Sequence, residues 1–169
     1  MNATHATVTP TLAAIAMVTA AGLAQASGDH SGGHYDSGGK GFAFGEPAAA
    51  SAADRTVEIV AKDTMRYAPA ELAVDSGETV RFVVKNVGQL QHSFTLAPPA
   101  AQRAHEQEMK DMAMAKMASH MEGDPTGIVV QPGESGSLTW RFTHSGPIQF
   151  ACHIPGHYPA GMKGRIHFK

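Results

Sequence analysis

The sequence predicts an all-β fold, an antiparallel β-sandwich carrying one inserted helix. Short runs of apolar residues alternate with period two from Arg55 onward, and turn residues separate the runs. One stretch, Ala100 to Met121, has neither Gly nor Pro and is rich in Ala, Glu, Gln, Lys and Met, so it reads as a helix placed between strands. Many short strands at turn-punctuated spacing are the signature of a sandwich, and the C-terminal part of the chain is long enough for one to bury a core.

Taken in order, residues 1–26 contain no Asp, Glu, Lys or Arg; Leu12 to Ala24 is Ala-rich and apolar, and Ala24-Gln25-Ala26 is a small-x-small cleavage pattern. This segment is expected to be a secretory signal peptide, with the mature protein starting near Ser27 and residing in the periplasm. The apolar stretch is shorter than the roughly 20 residues that span a bilayer, so a retained membrane helix is the weaker alternative, and no membrane span is expected after signal removal. The segment departs from the usual pattern in having no Lys or Arg between Met1 and Thr11. Residues 27–53 are Gly-, Ser- and Ala-rich, a composition expected to be a disordered linker. Within it His30 and His34, beside Asp29 and Asp36, either catch a copper ion weakly or are simply solvated.

Residues 54–169 form the expected domain. Val57, Ile59 and Ala61 alternate with other residues, as do Val80, Phe82 and Val84 after Asp75-Ser76-Gly77. Leu138, Trp140 and Phe142 follow Pro132-Gly133; Ile148, Phe150 and Cys152 follow Ser145-Gly146-Pro147; Ile166 and Phe168 mark a last strand. Each set is a half-buried strand.

Composition narrows the function. The 169 residues are 43% apolar and 17% charged, with 13 Lys+Arg against 15 Asp+Glu, the make-up of one ordinary domain. A net charge of -2 without a basic cluster gives no footprint for nucleic acid or an anionic membrane surface. Cys152 is the single cysteine, which excludes an internal disulfide, a zinc site of several thiolates and a dinuclear copper centre bridged by two thiolates. Ten His and nine Met accompany it, the imidazole and thioether partners that suit copper.

The residues around the cysteine carry the chemistry. Cys152 ends a strand, His157 follows five residues on and Met162 five beyond that, within a Pro/Gly-containing loop; His92 stands where an earlier strand begins after Asn86-Val87-Gly88. Two imidazoles, a thiolate and a weak axial thioether accommodate copper in both oxidation states, so an electron moves with little rearrangement. This set, His92 plus Cys152-x4-His157-x4-Met162, resembles the ligands of single-domain cupredoxins such as plastocyanin, azurin and rusticyanin, and the resemblance covers 54–169. It implies a Greek-key cupredoxin sandwich with one type 1 copper per chain. The His-bearing N-terminus and Met-rich insertion look most like periplasmic copper-tolerance cupredoxins of the CopI type. That resemblance implies copper handling and tolerance with electron-transfer capability; the alternative is a dedicated respiratory electron carrier with a redox protein partner.

Cys152-His153 also resembles the multicopper-oxidase segment in which the next His feeds a trinuclear centre, which would make an oxygen- or nitrite-reducing homo-oligomer the third reading. That centre needs a His where Ala151 stands and His-x-His pairs, whereas Gln91-His92-Ser93-Phe94 has one His. His153 is therefore expected to tune the site or meet solvent, and the protein is expected not to be an enzyme, a cuprous oxidase activity remaining open. In the insertion His105, Met109 and Met112 share one helical face and Met114, Met117 and Met121 another, with His120 nearby. These thioethers either pack as adaptable filler, bind additional Cu(I), or dock a partner. His144 and His167 are expected in solvent.

Overall fold

The computed structural model describes residues 42–169 except 113, 144 and 145. The signal-peptide expectation, His30, His34 and His144 lie outside the described residues. Among the described residues ten strands are formed: β1 Gly45–Pro47, β2 Arg55–Lys62, β3 Arg66–Ala68, β4 Glu71–Val74, β5 Thr79–Asn86, β6 His92–Ala97, β7 Gly127–Val130, β8 Ser135–Phe142, β9 Ile148–Ala151 and β10 Lys163–Phe168. They make two five-stranded sheets, ordered β1-β8-β5-β2-β3 and β4-β10-β9-β6-β7. Between β6 and β7 the chain forms α1 Pro99–Asp111 and α2 Met114–Glu122.

The alternation in the sequence becomes the core. Val57, Ile59 and Ala61 point inward from β2, Val80, Phe82 and Val84 from β5, and Leu138, Trp140 and Phe142 from β8, all buried. Phe82 of one sheet meets Phe94 of the other with ring centroids 5.3 Å apart, and Phe94 stacks on Phe150 at 5.2 Å. Such contacts add about 0.5–1.5 kcal/mol each beyond the area they bury. Gly164 sits opposite Phe150 in the β9–β10 pair, where an added Cβ would lie 2.1 Å from that ring. No side chain fits at this position, which is why the strand carries a glycine there.

Three features differ from the sequence expectations. Most pairings are antiparallel, but β2–β5 and β10–β4 run parallel. The first follows from the crossover through β3 and β4, in which the chain leaves one sheet, contributes β4 to the other and re-enters in its original direction; the second joins that crossover strand to the last strand of the chain. Of the linker expected to be disordered over 27–53, residues 27–41 lie outside the described residues and 42–53 are ordered: β1 pairs with β8, and Phe44 is 2% exposed. Phe42 and Phe44 pack on Trp140 at 5.3 and 4.9 Å, so two aromatic side chains anchor a segment whose average composition is that of a linker. The helical insertion is present in two pieces, interrupted at Met112, whose backbone is extended (φ -86, ψ 134).

That interruption decides where the methionines go. Met109, Met117 and Met121 are buried together, with Met112, Val129 and Ile154 packed around them. On one straight helix they would lie on two faces; the break at Met112 brings both faces to one cluster. Every residue of β6 is buried, because α1 covers the outer face of its sheet. Gln102 of α1 donates through Nε2 to the Thr95 carbonyl of β6 at 2.7 Å and to the Gln149 carbonyl of β9 at 3.0 Å. No helix among the described residues is long and apolar enough to cross a membrane.

Candidate metal centre

Antiparallel pairing of β6 with β9 places the start of one strand beside the end of the other, with Thr95 opposite Ala151. His92, at the first position of β6, therefore reaches the region that Cys152 enters as it leaves β9. The chain returns immediately as β10, Lys163 pairing with Ala151. The intervening loop is closed by backbone hydrogen bonds: Cys152 N–H to the Met162 carbonyl at 3.0 Å, Met162 N–H to the His157 carbonyl at 3.0 Å, and His157 N–H to the Ile154 carbonyl at 2.9 Å. Strand register and these bonds bring His92 and the loop that carries Cys152, His157 and Met162 to one end of the sandwich.

The side chains of three converge. The Nδ1 atoms of His92 and His157 are 3.2 Å apart, and Cys152 Sγ is 3.3 Å from His157 Nδ1. His92 and Cys152 are completely buried and His157 is 8% exposed. The Met162 side chain is completely buried in the core that also holds Cys152. Two imidazole nitrogens and a sulfur at ligand-to-ligand distance, with no water-exposed face except through His157, fit one soft-to-borderline ion.

Neighbouring groups fix these donors. Asp63 Oδ1 lies 3.1 Å from His92 Nε2, so that nitrogen carries the proton and Nδ1 presents its lone pair inward. Asp63 is itself held by the Gln89 N–H at 2.7 Å and the Leu90 N–H at 3.3 Å, and the Gln89 bond, joined by those to Leu90 and His92, keeps its carboxyl below the usual range against some burial. Cys152 Sγ accepts from the Ser93 N–H at 3.3 Å, and the Ser93 hydroxyl accepts the His153 N–H at 2.8 Å. Burial pushes the Cys152 thiol up and holds its proton against the hydrogen bonds from Ser93 and Ile154, so metal binding has to release that proton. Burial, then the charge of His92, pushes His157 down against Asp63, leaving its imidazole neutral and able to coordinate.

His153 does not meet solvent. It is completely buried, its Nε2 donating to Gln102 Oε1 at 2.6 Å, its Nδ1 3.5 Å from Glu106 Oε2 and its ring stacked on Tyr158. Burial, aided by His105, lowers its pKa to about 3. The insertion covers it, a contact invisible in the local sequence. Asp63, Ser93, Gln102 and Glu106 carry no motif that would have singled them out. His167, by contrast, is exposed as expected, with its side chain 55% accessible.

A thiolate and two imidazoles gathered at the end of a two-sheet β-sandwich define a copper protein of the cupredoxin class. The chain belongs to the copper-binding plastocyanin/azurin family, whose model matches residues 54–169. It is 46% identical over 123 residues to the copper-resistant cuproprotein CopI of Rubrivivax gelatinosus, covering 73% of this chain and 72% of that protein. To the CopI of Pseudomonas aeruginosa it is 41% identical over 150 residues, covering 75% of this chain and 82% of the other. Among solved structures, auracyanin B shares the fold, with a TM-score of 0.60 at 24% identity over 75% of this chain and 96% of that one. The protein is thus a copper-binding cupredoxin related to the CopI copper-resistance proteins.

Proposed function

We propose that this is an exported protein of periplasmic copper handling and tolerance, which holds one type 1 copper through His92, Cys152, His157 and Met162 and is able to pass electrons. The observation that carries this reading is the buried convergence of two Nδ1 atoms and one Sγ within 3.3 Å contacts. Copper in such a site cycles between two oxidation states with little change of geometry. The protein's part is to keep the donors fixed: the Asp63 and Ser93 bonds prevent the imidazole and thiolate from turning away, and burial excludes water. The names of the CopI relatives, which describe copper resistance, support the role in tolerance.

His157 is the ligand nearest solvent, and Leu90, in the loop held by Asp63, is 47% exposed beside the His92 end of the site. Val87, just before that loop, is exposed too, and two exposed apolar side chains at this end support electron exchange with a redox protein. A dedicated electron carrier would use the same features, and the copper-resistance relatives favour tolerance over it.

Cys152→Ala is expected to abolish the thiolate-to-copper charge-transfer absorption of the copper-loaded protein while leaving its far-ultraviolet circular dichroism unchanged. Retention of that band in the variant overturns the ligand assignment.

A further inference from the structure

We propose that the helical insertion sets the reduction potential of the thiolate site, with Gln102 of α1 as a positioning residue that acts through His153 on the hydroxyl Ser93 presents to Cys152. The inference rests on the type 1 reading and adds to it the part played by α1. Gln102 is completely buried, and its whole amide is in use. Nε2 donates to the carbonyls of Thr95 and Gln149, in the strands that begin at His92 and lead into Cys152. With both Nε2 hydrogens committed, Oε1 is the atom that faces His153 Nε2 at 2.6 Å, and that nitrogen is the donor. The His153 ring is held on its sides as well, stacked on Tyr158 with centroids 5.3 Å apart and met edge-on by His105 at 4.4 Å.

β9 ends at Ala151, so the peptide joining Cys152 to His153 lies beyond the strand. Its N–H donates to the Ser93 hydroxyl at 2.8 Å. The Ser93 backbone is fixed independently, its N–H donating to Cys152 Sγ at 3.3 Å and its carbonyl accepting the Tyr67 hydroxyl. What is left to settle is the rotation of the Ser93 hydroxyl. By occupying a lone pair of that oxygen, the His153 N–H turns the hydroxyl hydrogen toward Cys152 Sγ, 3.7 Å away. Two hydrogen bonds thus reach the sulfur: one belongs to β6, and the other depends on where α1 holds His153.

Hydrogen bonds to a copper-bound thiolate draw electron density from the sulfur, weaken its donation to the oxidised ion and favour the reduced one; they are among the levers that set the potential of such sites. The hydroxyl bond therefore raises the potential. Its loss lowers the potential and moves the thiolate-to-copper absorption to longer wavelength, because the electron then leaves a more electron-rich sulfur.

The test is voltammetry and visible absorption of the copper-loaded full chain, with amide hydrogen exchange of the metal-free protein by nuclear magnetic resonance. Gln102→Met and Ser93→Ala are each expected to lower the potential and shift the band to longer wavelength. The double variant should match Ser93→Ala alone, since a residue that acts only through the hydroxyl has nothing left to act on. His153→Phe leaves the Gln102 bonds to β6 and β9 in place and should shift both readings in the same direction, which keeps the test decisive if Gln102→Met loses its helices. Without metal, exchange of the residue-153 amide should quicken roughly five- to tenfold in Gln102→Met and His153→Phe, the consequence of losing about one net hydrogen bond, while the Phe150 and Ala151 amides keep their rates. An unchanged potential and band in the folded variants, a shift of the opposite sign, or a Gln102→Met effect that persists in full beside Ser93→Ala overturns this inference alone. A parent protein that binds copper without the charge-transfer band overturns the proposed function and this inference with it.

Discussion

Asp63 shows how much of the site rests on a residue that does not touch the metal position. Its carboxylate fixes the His92 tautomer, and Gly88 gives it room: a Cβ at position 88 would lie 1.9 Å from Asp63 Oδ1. Asp63→Asn keeps the shape but removes the charge that favours His92 as a proton donor. Copper affinity is therefore expected to fall roughly 10- to 100-fold, the effect of losing an outer-shell partner of a ligating imidazole, as read by competition with a chelator. At this scale the sequence displayed the candidate donor types well, because Cys152 and His157 sit on one short loop. Asp63 stayed hidden, since its partner is 29 positions away and an Asp in a turn has an ordinary solvated reading. Of the two expectations for His153, exposure to solvent fails for a related reason: the groups that bury it, Gln102 and Glu106, come from the insertion.

At the scale of elements, the insertion is held by its methionines and by Gln102, which supplies donors to the backbones of β6 and β9. Replacing Met109, Met117 and Met121 together by Leu conserves their volume approximately, a kind of swap that usually costs less than about 1.5 kcal/mol per site. The triple variant is expected to keep its helices and its full copper stoichiometry, checked by circular dichroism and metal analysis. Loss of a copper equivalent without loss of helix would show that the thioethers are ligands. The helix propensity of Ala100 to Met121 was plain in the sequence. The break was not, because Lys110, Met112 and Met114 are good helix formers, and the two pieces pack on different strands, α1 against β9 and α2 against β7.

For the whole molecule, the N-terminal segment closes the edge of one sheet and completes the cover over Trp140, the single tryptophan. Phe44→Ala is expected to destabilise the fold by about 3–5 kcal/mol, the range for emptying a buried aromatic position. Urea unfolding followed by Trp140 fluorescence measures it, and the native emission should shift to the red while the copper absorption is unchanged. The sequence by itself determined the strands, since period-two burial is a local property of each run, and it determined the donor chemistry, since residue type sets softness. Only the tertiary structure decided the two parallel pairings, the ordering of residues 42–53, the convergence of the methionines and the burial of His153. Each of these depends on contacts between segments far apart in the chain, whose free energy no local pattern records.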